Sequence, residues 1–155
     1  MFTLTSPAFA NGQPIPRRHA RDGENVSPDL EWTDPPPGTR SFVLLMEDVD
    51  AQAPAFRHWV VYDIPHERRH LPETGSSKAR EEDLPHGVNA FGAASYDGPQ
   101  PPAGDPPHTY RIRLVALSAS NLGLDPRPDA AEVWSRAREH ILSEAELSGT
   151  YQTQS

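Results

Sequence analysis

The chain of 155 residues contains no cysteine, and this absence excludes disulfide bridges and any zinc or redox site built on thiolates. It also lacks an apolar stretch approaching the ~20 residues that a membrane-spanning helix needs. The first residues, 1–5, carry neither the basic region nor the apolar region of a secretory signal. We therefore expect a cytoplasmic protein that does not insert into a membrane.

Positive charge is scarce. The sequence has 14 lysines and arginines against 22 aspartates and glutamates, which gives a net charge of −8. Such a protein repels the phosphates of nucleic acids and of anionic bilayers at long range. We therefore expect no nucleic-acid partner, although a local pocket that binds an anion stays compatible with this balance.

Hydrophobic residues make up only 35% of the chain, whereas it contains 18 prolines and 10 glycines. Proline and glycine fit poorly inside helices and strands, so long connections are expected between short regular elements. The length is that of one domain, and we predict a single domain over residues 1–155.

Three apolar runs predict the main strands. Residues 41–46 are apolar at every position after Ser41, which is typical of a strand covered on both faces. Residues 58–64 are rich in β-favouring side chains, and residues 108–117 form the third run. Shorter strands are predicted at residues 2–4 and 30–32.

One helix is predicted near the C-terminus. Asp129 and Glu132 have the spacing of a capping box. An apolar stripe follows at helical spacing, and Gly149 is placed to end the helix; the stripe consists of Val133, Ala137, Ile141 and Ala145. The whole pattern predicts a mainly-β sandwich or barrel with one late helix.

Polar groups begin where the apolar faces of two strands end. Asp48 and Asp50 continue the face of Phe42, Leu44 and Met46, because alternate residues of a strand share a face. In the third run, His108 and Tyr110 precede Ile112 and Leu114 on one face. Such groups are partly desolvated, which marks them as candidates for function. Taken singly, each has an ordinary structural role as a turn aspartate, a packed histidine or a core aromatic.

Several motifs occur together and in order. They are Ser6-Pro7-Ala8-Phe9, Asn25-Val26-Ser27-Pro28-Asp29-Leu30-Glu31-Trp32, Asp48-Val49-Asp50-Ala51, His58-Trp59-Val60-Val61-Tyr62-Asp63-Ile64-Pro65, Asn89-Ala90-Phe91-Gly92, Tyr96-Asp97-Gly98-Pro99, Pro101-Pro102-Ala103-Gly104 and His108-Thr109-Tyr110. This set resembles the phosphatidylethanolamine-binding proteins, and most closely their bacterial Raf-kinase-inhibitor-like branch. Several motifs at matching spacing are far more specific than any one of them.

The resemblance implies a Greek-key β-sandwich of the phosphatidylethanolamine-binding-protein type with a C-terminal helix. It also implies a small pocket that holds phosphate-like groups, including phospholipid headgroups. Carried over by motif, the ligand-binding residues are Asp48, Asp50, His58, His108 and Tyr110, with backbone contacts from the loop that contains Gly98 and Pro101. We expect no catalytic residue, cofactor or metal, because no serine or cysteine lies in a nucleophile motif and no spacing typical of metal ligands is present.

The sequence departs from the family pattern at the pocket. Val49 and Gln52 replace two prolines of the Asp-Pro-Asp-Ala-Pro signature, and a cis peptide before Gln52 would cost about 2.5–4 kcal/mol, so we do not expect one. Thr109 replaces an arginine. Gln100 stands where relatives have a small residue, and its amide either binds the ligand or partly blocks the opening.

We therefore predict a non-enzymatic protein that binds a small phosphate- or carboxylate-bearing molecule and modulates a kinase or protease. Because the motifs place no lysine or arginine toward the pocket, its positive charge is expected from His58, His108 or both, with raised pKa values. A metal-dependent or acid/base hydrolase that uses the same Asp/His pocket is the alternative. An interaction protein with a vestigial pocket is a third hypothesis. The oligomeric state stays open, a homodimer included.

Overall fold

Two β-sheets and one α-helix form the protein in this computed structural model, which describes residues 1–51, 56–73 and 84–153. Within these ranges, no helix is long and apolar enough to cross a membrane. A 3-10 helix spans Arg17–His19 and helix α1 spans Ala130–Ala137. Strands β1 to β8 span, in order, Thr3–Thr5, Gln13–Pro14, Leu30–Thr33, Ser41–Asp48, Phe56–Pro65, His70–Leu71, His108–Leu117 and Ile141–Tyr151.

The smaller sheet has the order β1-β3-β6, and the larger has the order β2-β8-β7-β4-β5. Neighbouring strands are antiparallel except for β2 and β8, which are parallel. The chain leaves the larger sheet after β5, contributes β6 to the smaller sheet, and returns as β7 on the other side of β4. Such a return beyond an intervening strand is typical of Greek-key connections.

Strand β4 is buried on both faces, as its uniformly apolar sequence predicts. Phe42, Leu44 and Met46 belong to the core between the two sheets, where Trp32 meets Phe42 edge-on with ring centroids 5.6 Å apart. The alternate residues of β4, Val43 and Leu45, belong to a second core under helix α1. The larger sheet is therefore the middle layer, and β4 lies near its centre.

The structure confirms the mainly-β prediction and each of the three long predicted strands. The third agrees in its bounds, because β7 spans His108–Leu117. The two short strands are present as β1 and β3. The expectation about the peptide before Gln52 concerns a residue that lies outside the described ranges.

The C-terminal helix begins where predicted but is much shorter than predicted. Asp129 caps it, since the Asp129 carboxylate accepts a hydrogen bond of 2.7 Å from the Glu132 backbone N–H. The prediction that the helix continues to Gly149 is wrong, because residues 141–151 form β8, which pairs along the length of β7. Burial there alternates with period two at Ala145, Leu147, Gly149 and Tyr151, and pairing with β7 overrides the helical spacing.

Two leucines of β8 provide a test of this correction. Leu147 is buried between the sheets, whereas the Leu142 side chain is 45% exposed. Leu147→Ala should lower the free energy of unfolding by about 2–5 kcal/mol, because it leaves a cavity in the core. Leu142→Ala is the matched control and should change it by less than about 0.5 kcal/mol. Urea denaturation measures both, and equal losses would contradict the strand.

Candidate functional site

A cavity of about 550 Å³ lies where β4 ends and where β5 and β7 begin. The apolar face of β4 stops at Met46, and Asp48 is the next residue on that face. Three of the sequence-predicted residues, Asp48, His58 and His108, line this cavity, so their predicted convergence is confirmed. The lining residues are Asp48, Asp50, Ala51, Phe56, His58, Phe91, Gln100, Pro101, Pro102, Asp105 and His108.

The His108 imidazole lies between two carboxylates. Its Nδ1 is 2.7 Å from Oδ2 of Asp48, and its Nε2 is 3.0 Å from Oδ2 of Asp105. Strand register explains the first contact: Asp48 is paired with Tyr110, two residues beyond His108 on the same face of β7. Asp48 itself is buried, and its Oδ1 accepts a hydrogen bond of 2.8 Å from the Asp50 backbone.

This geometry determines the charge of His108. A carboxylate that is ionised only accepts hydrogen bonds, so two such neighbours favour the His108 ring with a proton on each nitrogen, the imidazolium. Burial lowers the pKa of His108, but the hydrogen bonds and charges of Asp48 and Asp105 outweigh it and hold the pKa above its ordinary value. The expectation of a raised pKa is therefore met at His108.

His58 reaches the cavity because of an irregularity in the β4–β5 pairing. Met46 pairs with Trp59 and Glu47 pairs with Arg57, so His58 is the extra residue of a bulge. In a regular strand, His58 and Trp59 would face opposite sides of the sheet. With the bulge, Trp59 enters the inter-sheet core while His58 lines the cavity on the same side. A bulge that redirects one side chain is a common feature of sites on β-sheets.

The His58 side chain is buried among aromatic rings. Its ring lies 5.2–5.3 Å, between centroids, from the rings of Phe56, Phe91 and Tyr110. Burial lowers the pKa of His58, despite the hydrogen bond that its Nδ1 donates to the Asp97 carbonyl at 2.9 Å. The expectation of a raised pKa at His58 is wrong: the Asp48 charge does raise it, but desolvation of the ring outweighs the carboxylate and the net shift is downward. The neutral ring carries its proton on Nδ1, which leaves Nε2 unprotonated.

A network of buried amides holds the loop that backs His58. The Asn89 side-chain amide donates to the carbonyls of His58 and Ser95 and to the Asp97 carboxylate, at 2.9–3.2 Å. Asn25 donates to Asp97 from the far side at 3.0 Å. Three parts of the chain, at Asn25, Asn89 and residues 95–97, therefore hold the surroundings of one histidine.

Gly98 and Tyr110 are not among the residues that line the described part of the cavity. The Gly98 backbone N–H, expected to contact a ligand, donates instead to Oδ1 of Asn25 at 2.7 Å. Gly98 is needed for close packing, since a Cβ there would lie 1.8 Å from the His19 carbonyl oxygen. Tyr110 is fully buried beneath the cavity, and burial together with the Asp48 carboxylate raises the pKa of its phenol. The other predicted residues, Asp50 and Pro101, do line the cavity.

Sequence reasoning missed one cation at the cavity wall. The Arg21 guanidinium lies 4.1 Å above the ring of Phe91, donates to Oε1 of Gln100 at 2.6 Å, and is 3.4 Å from the Asp97 carboxylate. Arg21 belongs to a loop at least seventy residues before these partners, so spacing gave no signal for it. The Gln100 amide, expected to bind a ligand or block the opening, is thus bonded to Arg21.

Asp105 was also missed, although its position three residues before His108 was a usable signal. The carboxylates that line the cavity belong to Asp48, Asp50 and Asp105. Asp50 accepts a hydrogen bond of 2.6 Å from the Thr109 backbone. In the described part of the cavity, three carboxylates therefore lie near the imidazole of His108. The guanidinium of Arg21 lies against two of the lining residues, Phe91 and Gln100.

Metal ligands do not converge in the described part of the cavity. In the described ranges, the side chains that come close enough to share an ion are Asp29, Glu31 and His70. Glu31 and His70 are paired across β3 and β6, and Nε2 of His70 is 2.8 Å from Oδ1 of Asp29. None of the three lines the cavity, and two are exposed on the smaller sheet.

The family profile described as phosphatidylethanolamine-binding protein matches residues 5–152. The chain belongs to the phosphatidylethanolamine-binding protein family. It is 41% identical over 151 residues to a UPF0098 protein of Aquifex aeolicus, covering 97% of this chain and 88% of that relative. It is 34% identical to the UPF0098 protein YbhB of Escherichia coli, covering 96% and 98% of the two chains.

Solved structures of the family share the fold. Escherichia coli YbcL, described as a new member of the mammalian PEBP family, superposes with a TM-score of 0.93 at 29% identity over 99% of both chains. A PEBP homolog from Chlamydia trachomatis superposes with a TM-score of 0.84 at 30% identity, covering 99% of this chain and 98% of that one. The resemblance seen in the motifs is thus confirmed as family membership.

The two histidines of the cavity should titrate on opposite sides of the ordinary histidine pKa of about 6.5. We expect the pKa of His108 above that value, because two carboxylates hold the imidazolium, and the pKa of His58 below it, because the ring is desolvated. NMR titration of the ring Cε1–H signals measures both, with His58→Gln and His108→Gln giving the assignments. Asp48→Asn should lower the pKa of His108, and an unchanged value would contradict the pairing.

Proposed function

We propose that this protein binds a small phosphate- or carboxylate-bearing molecule in the cavity at the ends of β4, β5 and β7. The observation that carries the proposal is the position of the His108 ring, whose Nδ1 is 2.7 Å from the Asp48 carboxylate and whose Nε2 is 3.0 Å from the Asp105 carboxylate at the cavity wall. A protonated imidazole in this position is a charge-assisted donor for an oxyanion. The carboxylate of Asp105 already makes that contact.

The remaining walls suit the organic part of such a ligand. Phe56, Phe91, Pro101 and Pro102 contribute apolar surface to the cavity. A few polar groups among apolar walls are typical of small-molecule sites, and about 550 Å³ lies within their usual range of volumes. A phospholipid headgroup or a small phosphate ester has the size and the mixed polarity that this cavity favours.

We extend the proposal to a regulatory role in the cytoplasm, in which the liganded protein modulates a kinase or protease. Membership of the family supports this role, because family members regulate such enzymes. A pull-down in which ligand changes the amount of partner recovered would test it, and identical recovery with and without ligand would count against it.

An acid/base hydrolase is the second candidate. The unprotonated Nε2 of His58 supports it, because a neutral imidazole in a cavity is suited to accept a proton. The side chains that line the described part of the cavity include no serine or threonine hydroxyl to serve as a nucleophile, so water would have to attack. Turnover of a phosphomonoester that His58→Gln abolishes would favour the hydrolase, whereas binding without turnover favours the ligand-binding protein.

Asp48→Asn should weaken phosphate binding by about tenfold, or about 1.4 kcal/mol, because it removes the charge that keeps His108 protonated. Simple charge repulsion predicts the opposite, since the variant removes a negative charge from an anion site. Calorimetric titration near pH 7 distinguishes the two. Asp125→Asn is the matched control, because it removes one charge from an exposed position away from the cavity. Tighter binding by Asp48→Asn would overturn the positioning role of Asp48.

Phosphate affinity should fall as pH rises through the pKa of His108. The charged groups around His108 are Asp48, Asp50 and Asp105, and the raised pKa keeps the donor protonated up to a pH above 6.5. Above that range the ring becomes neutral and loses a donor, even though phosphate itself becomes more charged. Of the two histidines expected to carry this profile, we assign it to His108, because burial lowers the pKa of His58.

Calorimetry between about pH 5.5 and 8.5 measures this profile. His108→Gln should flatten it, His58→Gln should leave its slope unchanged, and His140→Gln is an exposed control. Affinity that stays constant or rises across the range would show that the imidazolium is not the donor.

A further inference from the structure

The carboxylate of Asp105 occupies the position on His108 that an anionic ligand needs. We propose that Asp105 acts as an internal anion, which a ligand must displace before it binds. Asp105 thereby lowers the apparent affinity of the cavity for anionic ligands. This inference rests on the proposed function, because it concerns the same site.

His108 has two ring donors, and they are unequal. Nδ1 is committed to Asp48, a buried residue that also accepts from the backbone of Asp50. Nε2 is therefore the remaining donor for a ligand, and it lies 3.0 Å from Oδ2 of Asp105. A phosphate or carboxylate oxygen cannot approach Nε2 at hydrogen-bond distance while Oδ2 of Asp105 stays there.

Asp105 is the carboxylate that is able to leave. Its side chain is 44% exposed, whereas that of Asp48 is 6% exposed. In the part of the chain that the structure describes, no group donates a hydrogen bond to Oδ1 of Asp105. Rotation of the side chain thus breaks one contact and places the carboxylate in water, where an ionised group is stable.

The backbone at Asp105 is held while the side chain is exposed. The Asp105 N–H donates to the Pro102 carbonyl at 3.1 Å, and the Asp105 carbonyl accepts from Nε2 of Gln152 at 3.0 Å. Two prolines, Pro106 and Pro107, follow and restrict the backbone further. Displacement therefore needs a change of side-chain rotamer and leaves the loop in place.

Occupation of Nε2 by Asp105 lowers the apparent affinity for every anionic ligand by the same factor. If Asp105 occupies Nε2 in most molecules, the apparent affinity of any anion is reduced by the fraction of molecules in which Nε2 is free. A bare anion that contacts only His108 exchanges one carboxylate for another and gains little. An anion with an organic body gains further contacts with Phe56 and Phe91, so the cavity selects esters over free inorganic ions.

Calorimetry with sulfate and with acetate at about pH 6 tests the proposal, because these ions keep charges near −2 and −1 there and His108 stays protonated. Asp105→Asn should bind both ions about tenfold more tightly than the wild-type protein, since a neutral amide competes weakly for a charged donor. Asp50→Asn is the matched control, as it removes one charge from the same cavity without freeing Nε2. Asp105→Ala, which leaves no competitor, should bind at least as tightly as Asp105→Asn.

The ratio of the affinity of Asp105→Asn to that of Asp50→Asn should be the same for sulfate and for acetate, because displacement of Asp105 does not depend on the charge of the ligand. Long-range repulsion instead predicts a larger gain in affinity for sulfate than for acetate, and that result would overturn the proposal. Equal gains in affinity for Asp105→Asn and Asp50→Asn would also overturn it, because repulsion alone would then explain both variants. In wild-type protein, saturating sulfate should shift the Asp105 carboxyl ¹³C signal and leave that of Asp48 unchanged.

A separate outcome concerns the proposed function itself. If neither the wild-type protein nor Asp105→Asn binds sulfate, acetate or phosphate, the cavity is not an anion site. If wild type and Asp105→Asn bind them equally, the anion site stands and the internal anion is ruled out.

Discussion

The hydrogen bond between Asp48 and His108 joins the two central strands of the larger sheet at the edge of the cavity, and the chemistry of the site depends on it. The bond exists because Asp48 is opposite Tyr110 in the β4–β7 register, so that His108 falls on the same face. A slip of one residue in that register would turn the histidine to the other face of the sheet. The uninterrupted apolar packing of β4 on both faces specifies the register and thereby the site.

The two histidines show how one cavity shifts the pKa of identical side chains in opposite directions. His108 faces carboxylates that stabilise its charge, whereas His58 is surrounded by aromatic rings that disfavour a charge. Opposite environments within one cavity divide roles between identical side chains. In this protein they raise the pKa of His108 and lower the pKa of His58.

The net charge of the chain and the charged groups of the cavity affect an approaching anion over different distances. A net charge of −8 lowers the local concentration of anions around the protein, and three carboxylates line the described part of the cavity. Binding of an anion then depends on short-range donors rather than on the long-range field. In the proposed function His108 is this donor, and the structure places the Arg21 cation nearby, against Phe91 and Gln100.

The amino-acid sequence by itself determined the elements whose signal is local. The apolar run of residues 42–46 predicted β4, runs of β-favouring residues predicted β5 and β7, the Asp129 cap predicted the start of helix α1, and ordered motifs identified the family. Tertiary structure decided what depends on partners distant in sequence. Residues 141–151 became a strand because β7 offered a full ladder of hydrogen bonds, and a bulge turned His58 into the cavity. Folding brought Arg21 next to Phe91 and Gln100. Folding also placed carboxylates beside His108 and aromatic rings around His58, which shifts their pKa values in opposite directions. Such contacts join residues distant in sequence, so the periodicity of the sequence does not predict them.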